Sequence, residues 1–586
     1  MDKNAILAIV LSVVVLLVWQ IVFVAPLQQR KLEEEQARQE ELAQQQPQDQ
    51  DGAVVPPQQS APGPTPDQST IPAYTTSERE LDQDAPIVVI DTPLYDVTLT
   101  TQGGRILAWQ LDHHDDTNGE PLDLVSEDAR RLGFLPLEVF TGDADLDSDL
   151  NQGRYRASTN AVTLTETDDA KTIKLSYTTD SGVRFVKEIT VFPDTYTINV
   201  GFDIDGAGKD VTSLTFVWGP GLGTDLGLSA RFEPQMVSKA PDKPKPQRDP
   251  VKKIEGLTTK PNITWAAINR KYFTAAFFPE NTNNSLSMNI ITIPPQDGDD
   301  KIASIRQLMV GVWQPLQDGE CQLSVYAGPK EYAKLTEAFP GFESLIDYGT
   351  FWFIAKPLAA FMSLIHGYVH NYGVAIICLT ILIKLIFYPL THKSFQSMQR
   401  MQEVQPKMKA IQEKYKDKQQ QQQAVMEFYK KEGVNPMGGC FPMLLQLPVF
   451  FALYQTLLQS IELRGAHFLW ISDLSSAEPA FFGFIKPLVF LMGAGMFLQQ
   501  SMTPTSADNK QAQMFKFMPI LFTAMFWNFP AGLVLYWFMN NILTIGQQYI
   551  IKKSGKKSGS KSSKGKESKT QQSSSSRKRR NKGKAA

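Results

Sequence analysis

The sequence predicts a multi-span α-helical membrane protein of six transmembrane helices that carries an all-β sandwich domain on the extracytoplasmic side. Three observations predict it. Uncharged apolar runs of membrane-spanning length occur near residue 6 and repeatedly after residue 350. Between them, residues 86–329 change to the two-residue period of half-buried strands. Basic charge, finally, is confined to two short stretches beside apolar runs. Residues 551–586 hold 14 Lys or Arg against the single acid Glu567, and 391–435 hold 9 against 5. Of the 58 basic and 61 acidic residues in this chain of 586, that leaves 35 against 55 elsewhere, a topology signal.

Residues 6–24 are just long enough to cross a hydrocarbon core of about 30 Å. A cleaved signal peptide is the competing reading. The run is long for that role, and Phe23-Val24-Ala25 before Pro26 is a poor cleavage site, so an uncleaved anchor over 1–27 is expected. Residues 28–85 read as a polar linker: a charged, helix-prone stretch (28–46), then a Gln/Pro/Ser-rich tether with too few apolar residues to build a core.

In the expected β domain, 86–345, Val97 and Leu99, Val162 and Leu164, Ile173 with Leu175 and Tyr177, Ile189 and Val191, and Ile198 with Val200, Phe202 and Ile204 alternate with polar residues. Gly103-Gly104, Asp168-Asp169 and Asp180-Ser181-Gly182 punctuate them as turns. A short helix over 330–339 leads toward the membrane.

The membrane core is expected over 346–551. Residues 351–371 are apolar with one narrow polar stripe (Lys356, Ser363, His370, with His366 beside it), which suits an interfacial helix. As a single helix 351–390 would be about 60 Å long, twice the bilayer core, so a separate span over about 372–390 is expected. A cytoplasmic helical hairpin follows over 392–433, kinked at Pro406 and capped by Gly433. Further spans are expected over about 441–461, 481–502, 514–529 and 533–551, the last two separated at Pro530-Ala531-Gly532. The basic loop and the basic disordered tail, 552–586, should share the cytoplasmic side. That requires an even number of crossings between them, hence six spans, both termini cytoplasmic and about 25–350 outside.

Lys384 is a full charge inside an otherwise apolar span. Such a charge costs roughly 2.5–3.5 kcal/mol on insertion scales. Either it faces a cavity or partner, or it snorkels toward the cytoplasmic headgroups about 12 Å of helix away. Thr380, Gln446, Gln455, Gln499, Gln500, Asn528, Asn540 and Asn541 scatter polarity through the spans, as interhelical glue or as the lining of a wet groove. In the hairpin, Phe395, Met398, Met401, Val404, Met408, Ile411 and Tyr415 form an apolar stripe, suited to helix packing or to handling varied apolar segments. The Lys/Arg/Ser tail fits anionic lipid and ribosomal RNA equally well.

An enzyme site is not expected. His366 and His370 sit at i, i+4 without the acidic partner of a zinc protease, and phosphate-binding glycine loops and Gly-x-Ser-x-Gly elbows are missing from the sequence. Of the three cysteines, Cys378 and Cys440 lie in or beside apolar runs and Cys321 stands alone in the β region, so neither a disulfide there nor a cysteine metal site is expected. No metal or cofactor is expected.

Asn435-Pro436-Met437-Gly438-Gly439-Cys440-Phe441-Pro442, continuing through Gln446, Pro448 and Leu453-Tyr454, resembles the third span of the YidC/Oxa/Albino insertase family. Tyr388-Pro389-Leu390-Thr391, Glu462-Leu463-Arg464 and 529–536 (Phe-Pro-Ala-Gly-Leu-Val-Leu-Tyr) match in order and spacing. The anchor plus large β domain is similar to the Gram-negative form. The resemblance implies a bacterial inner-membrane insertase and chaperone with a five-helix core. That core would enclose a hydrophilic, positively charged groove lined by Lys384, Thr380, Gln446, Tyr536 and Trp537. Nascent membrane proteins, Sec translocon components and, through the tail, the ribosome are the implied partners, with no small-molecule substrate. The family usually has arginine at Lys384 and often tyrosine at Trp537. Lysine keeps the charge but loses the planar fork. Two rivals of other classes are a secondary transporter, for which no repeated halves are visible, and a tethered sugar-binding β module.

Overall fold

The computed structural model describes residues 80–553 except 117, 209, 224–233, 255–256, 280–285, 294–306, 416, 435–440, 503–509 and 552. The expected anchor, most of the linker, Asn435–Cys440 and the basic tail lie outside the described residues. The chain divides into two compact units. One, Met1–Thr65 with Thr505–Met518, is described only over residues 510–518, part of a helix. Everything else below belongs to the other.

The region of period two folds into three sheets. A nine-stranded sheet runs in the spatial order Gln247–Pro250, Gln235–Lys239, Trp265–Asn269, Phe273–Pro279, Glu320–Pro329, Thr197–Asp205, Arg184–Val191, Lys171–Thr178, Arg156–Ala157. Two five-stranded sheets pack with it around one apolar core. One is centred on Tyr95–Thr100 and the other on Gln307–Pro315. Pairing is antiparallel apart from Ile87–Asp91 against Ala161–Thr163. The alternating residues named above are buried except Tyr177, which is partly covered. Short helices α1 (Glu127–Leu132) and α2 (Ala144–Gln152) cap the sandwich, and α3 (Tyr332–Ala338) leaves it.

Charge also enters the core, at Lys187 and at the Arg105–Glu138 pair. Lys187 lies two residues before Ile189 on Arg184–Val191, so the pleat turns it into the core, where it is fully buried. Its ammonium donates to the carbonyls of Gly103, Gly104 and Leu137, each at 2.9 Å. All three acceptors belong to residues with positive φ (70°, 57° and 68°). A Cβ on Gly103 would meet Asn151 O at 2.6 Å, so this turn requires glycine. Burial pulls the Lys187 pKa down to about 7, Arg105 adding to the effect and Glu138 opposing it. Three carbonyl acceptors satisfy the ammonium's three donors, and the buried Arg105–Glu138 pair lies 3.4 Å apart.

The helical region begins with α4 (Trp352–Val369), which ends on His370 in the left-handed conformation. Asn371 then caps α5, accepting from Val374 N at 3.0 Å. This is the expected break. α5 (Tyr372–Lys414) differs from expectation, running 43 residues through Pro389 and Pro406 without interruption. Each proline removes one i→i−4 bond, and neither flank offers a competing cap. Thr391 Oγ1 bonds back to Phe387 O at 2.8 Å beside the first. The hairpin partner α6 (Lys418–Glu432) contains the glutamine run and ends on Gly433 (φ 63°). Only the middle of the predicted stripe is buried, at Val404 and Met408, where Tyr429 OH reaches Met408 Sδ at 2.7 Å.

α7 (Phe441–Gln459), α8 (Pro487–Met502), α9 (Lys510–Met525) and α10 (residues 531–551) complete the chain. α8 starts six residues later than expected, because Pro487 suits a first helical turn and residues 481–485 form a tight bridged turn instead. By length and composition, Trp352–Val369 and Tyr372–Met401 are the helices among the described residues that could cross a membrane. The sandwich core continues into the bases of α4 and α7 through Ala355, Ala452 and Ile461. Arg464 reaches back to Asp115 O and lies over the Phe273 ring at 5.4 Å.

Lys187→Met should destabilise the sandwich by about 3–5 kcal/mol, since it strands three buried carbonyls and leaves Glu138 less well balanced. The check is the midpoint of β-structure loss when the full-length protein in detergent is unfolded with urea. His114 supplies a pH test. Burial, with help from Arg464 and His113, lowers its pKa to about 4, below the unfolded value of about 6.5. The unfolded chain therefore binds the extra proton first, and His114 costs stability as pH falls from 6.5 to 4, on the order of 3 kcal/mol. His114→Phe, which keeps the edge-on contact with Phe273, should flatten that part of the stability–pH curve.

Candidate functional site

The second apolar core joins α4, α5, α7, α8 and α10 with the connection between α7 and α8. That connection does more than link. Ser476 O accepts from Ala531 N at 2.7 Å and Leu474 O from Gly532 N at 2.9 Å, satisfying amides in the first turn of α10. A Cβ on Gly532 would stand 3.1 Å from Leu474 O, so the glycine permits this approach. Glu478 caps α8, accepting from Leu488 N at 2.8 Å, Val489 N at 3.2 Å and the Trp470 indole at 2.7 Å. Lys486 is buried beside it and donates to Trp527 O at 2.7 Å.

On α10, anchored this way, Tyr536, Asn540 and Thr544 fall at i, i+4, i+8, on one face. On α5, Thr380 and Lys384 are likewise one turn apart. Lys384 Nζ donates to Thr544 Oγ1 at 2.7 Å, and Thr544 Oγ1 donates in turn to Asn540 O at 2.6 Å. Asn540 Oδ1 accepts from Gln446 Nε2 of α7 at 2.9 Å. Beside Gln446 the Tyr536 hydroxyl is fully enclosed without reaching hydrogen-bond geometry. Lys384 itself is half-buried, with no carboxylate partner among the described residues. The outcome is a polar ladder between α5, α7 and α10 that carries one positive charge.

The structure thus brings together Lys384, Gln446 and Tyr536 of the five expected residues. Thr380 is fully buried but turns its hydroxyl back to Ile376 O at 2.7 Å, within its own helix. Trp537 packs into an aromatic wedge with Phe450 at 4.9 Å and Phe526 at 5.1 Å, on the face of α10 next to the ladder. Asn541 bonds Met492 O of α8 at 3.4 Å, which is interhelical glue. Thr544 was not anticipated. The four-residue spacing of Tyr536, Asn540, Thr544 and Gln548 was the signal that could have found it. His366 stacks face to face on Tyr372 at 3.7 Å and is 6.3 Å from His370. Ile381, Leu385 and Ile386 on α5 and Phe451 on α7 turn outward and are exposed.

Two family models match the chain: one described as 60Kd inner membrane protein, over residues 364–558, and one as YidC periplasmic domain, over 87–361. A protein named membrane protein insertase YidC in Syntrophus aciditrophicus (strain SB) is 35% identical over 564 residues, covering 94% of this chain and 100% of that one. Its namesake in Geobacter sp. (strain M21) is 38% identical over 487 residues, covering 80% of this chain and 85% of that one. Among solved structures, an active YidC insertase with the first transmembrane domain resolved aligns at 17% identity and a TM-score of 0.34, covering 79% of this chain and 94% of that one. With both regions matched and the identity sustained through nearly the whole length, this chain belongs to the YidC family of membrane protein insertases.

Proposed function

We propose that this protein assists insertion and folding of other proteins in the bacterial inner membrane, receiving their polar segments in a groove around Lys384. The observation that carries this reading is the half-buried Lys384 ammonium, held by Thr544 without a counter-charge among the described residues. Moving a hydrophilic segment across an intact bilayer requires desolvating its charges and backbone. A polar groove open to one side shortens the dry path. A single positive charge within it favours acidic segments transiently, and burial of the apolar span in lipid then drives the step without nucleotide. Gln446 and Tyr536 line the groove in this reading. Thr380 holds the backbone of α5, and Trp537 supports the α7–α10 seam along which substrate helices leave for lipid.

The topology we propose has six spans: the anchor near residues 6–24, the first half of α5, α7, α8, α9 and α10. Both termini are cytoplasmic and the sandwich periplasmic, with α4 at the outer interface. The bases concentrated in 391–435 and 551–586 support it. Partners are nascent membrane proteins and, by family likeness, Sec components, with the tail directed to the ribosome or anionic lipid.

The test is protease-protected insertion of a small two-span substrate into liposomes, with and without purified protein and without ATP. Protein-dependent insertion is expected. Lys384→Ala should lose most of it for substrates with acidic exported segments, and Lys384→Arg should retain it. Equal activity of the two variants would remove the charge from the mechanism. A double-mutant cycle of Gln446→Leu and Asn540→Leu, read by unfolding in detergent, should give a coupling of about 0.6–2 kcal/mol across the α7–α10 contact.

A further inference from the structure

The connection between α7 and α8 reverses the usual order of a loop in water, polar outside and apolar inside. Between residues 465 and 485 the exposed side chains are apolar apart from His467 and Ser472, and Trp470 donates its indole N–H to Glu478. Both carboxylates of this stretch are committed to amides of the chain itself. Asp473 accepts from Gly465 N at 3.2 Å and Ser475 N at 2.8 Å, and Glu478 caps α8. Two tight turns carry the apolar residues outward. Phe468 and Ile471 exchange backbone hydrogen bonds at 2.9 and 3.0 Å around Leu469 and Trp470, and Phe481 and Ile485 exchange them at 2.7 and 2.9 Å around residues 482–484. Leu469 and Phe482 stand at the tips, 76% and 90% exposed. Both have positive φ (53° and 50°), a conformation disfavoured for bulky side chains. Phe481 and Phe484 flank the second tip and are exposed too.

What the connection is fastened to sets its depth. Asn371, the cap of α5, donates to His467 O at 3.2 Å, and the Phe468 ring packs on Gly373 of α5 closely enough to leave no room for a Cβ. Glu478 holds the first turn of α8, and Leu474 and Ser476 hold the first turn of α10. The connection is thereby tied to the starts of three helices and cannot stand away from them. Beyond Phe484 the exposed apolar surface continues along α8 through Phe490 and Leu491. In water the exposed tips gain nothing to offset their backbone conformation. At the boundary between headgroups and acyl chains apolar burial supplies that gain, and aromatic rings suit this zone. The reciprocal backbone bonds across each turn also meet the requirement that polar groups entering lipid be satisfied internally.

We propose that the α7–α8 connection is a two-pronged lipid anchor, with Leu469–Trp470 and Phe481–Phe484 seated in the outer leaflet at the boundary between headgroups and acyl chains. This rests on the topology proposed above, which puts the starts of α5, α8 and α10 at the outer face.

The test is the depth of spin labels on the full-length protein, its three native cysteines replaced by alanine, in liposomes of phosphatidylcholine and phosphatidylglycerol. Labels are attached at Leu469→Cys and Phe482→Cys, with Phe484→Cys, outside the left-handed region, to report the second prong should Phe482→Cys not fold. Lys174→Cys on the exposed face of the sandwich serves as the aqueous reference, and Phe497→Cys on the outward face of α8 as the lipid reference. Labels on both prongs should collide with dissolved oxygen more than with a water-soluble nickel chelate, at a depth of about 5–10 Å. The label at Lys174→Cys should show the reverse. Preferential collision with the nickel chelate at either prong overturns the proposal. If Phe497→Cys then still reports lipid, the topology of α8 stands and the anchor alone fails; if it also reports water, both fall. None of these readouts requires insertion activity, so a failed insertion assay remains a separate result.

Discussion

Two backbone hydrogen bonds at the start of α10, from Ala531 to Ser476 O and from Gly532 to Leu474 O, are what the helical core depends on. A helix end leaves its first amides without partners, and in an apolar setting no water supplies them. The connection between α7 and α8 supplies carbonyls instead, and Glu478 of the same connection supplies a carboxylate to α8. Fixing the start of α10 fixes its rotation. Its rotation in turn decides that Tyr536, Asn540 and Thr544 face α5 and α7 while Trp537 faces aromatic neighbours.

Three buried or half-buried lysines illustrate how surroundings assign different tasks to one side chain. Lys187 meets three carbonyls and braces a strained turn at the centre of the sandwich. Lys384 meets a single hydroxyl in the ladder. Lys330 meets other cations across a cavity. The first is satisfied in place, so its role is structural. The other two keep donor capacity beyond the contacts that the described residues make with them.

The sandwich was legible in the sequence because a strand's period of two maps directly onto burial. Val200, Phe202 and Ile204 read inward and are inward. The break at His370–Asn371 was legible for a comparable reason, since the apolar stretch 351–390 is about twice as long as one crossing needs. The continuity of α5 through Pro389 and Pro406 was not. Proline removes one hydrogen bond, and whether the helix survives that loss depends on what surrounds it. The late start of α8 was signalled only by Gly483 and Pro487, which the continuous apolar run around them masked.

The sequence by itself determined the family, the β-then-helical order of the chain, the isolated charge at Lys384 and the asymmetry of basic residues. Each is a matter of composition, period or local motif. The tertiary structure decided which polar residues meet. Gln446 and Asn540 are 94 positions apart, and Lys384 and Thr544 are 160 apart. Pairings at such separations are set by helix rotation and packing, and no local pattern encodes them. For the same reason the cavity at the sheet's end was invisible in the chain, since Arg248, the Arg270-Lys271 pair and Lys330 meet only when the sheet brings its strand ends together.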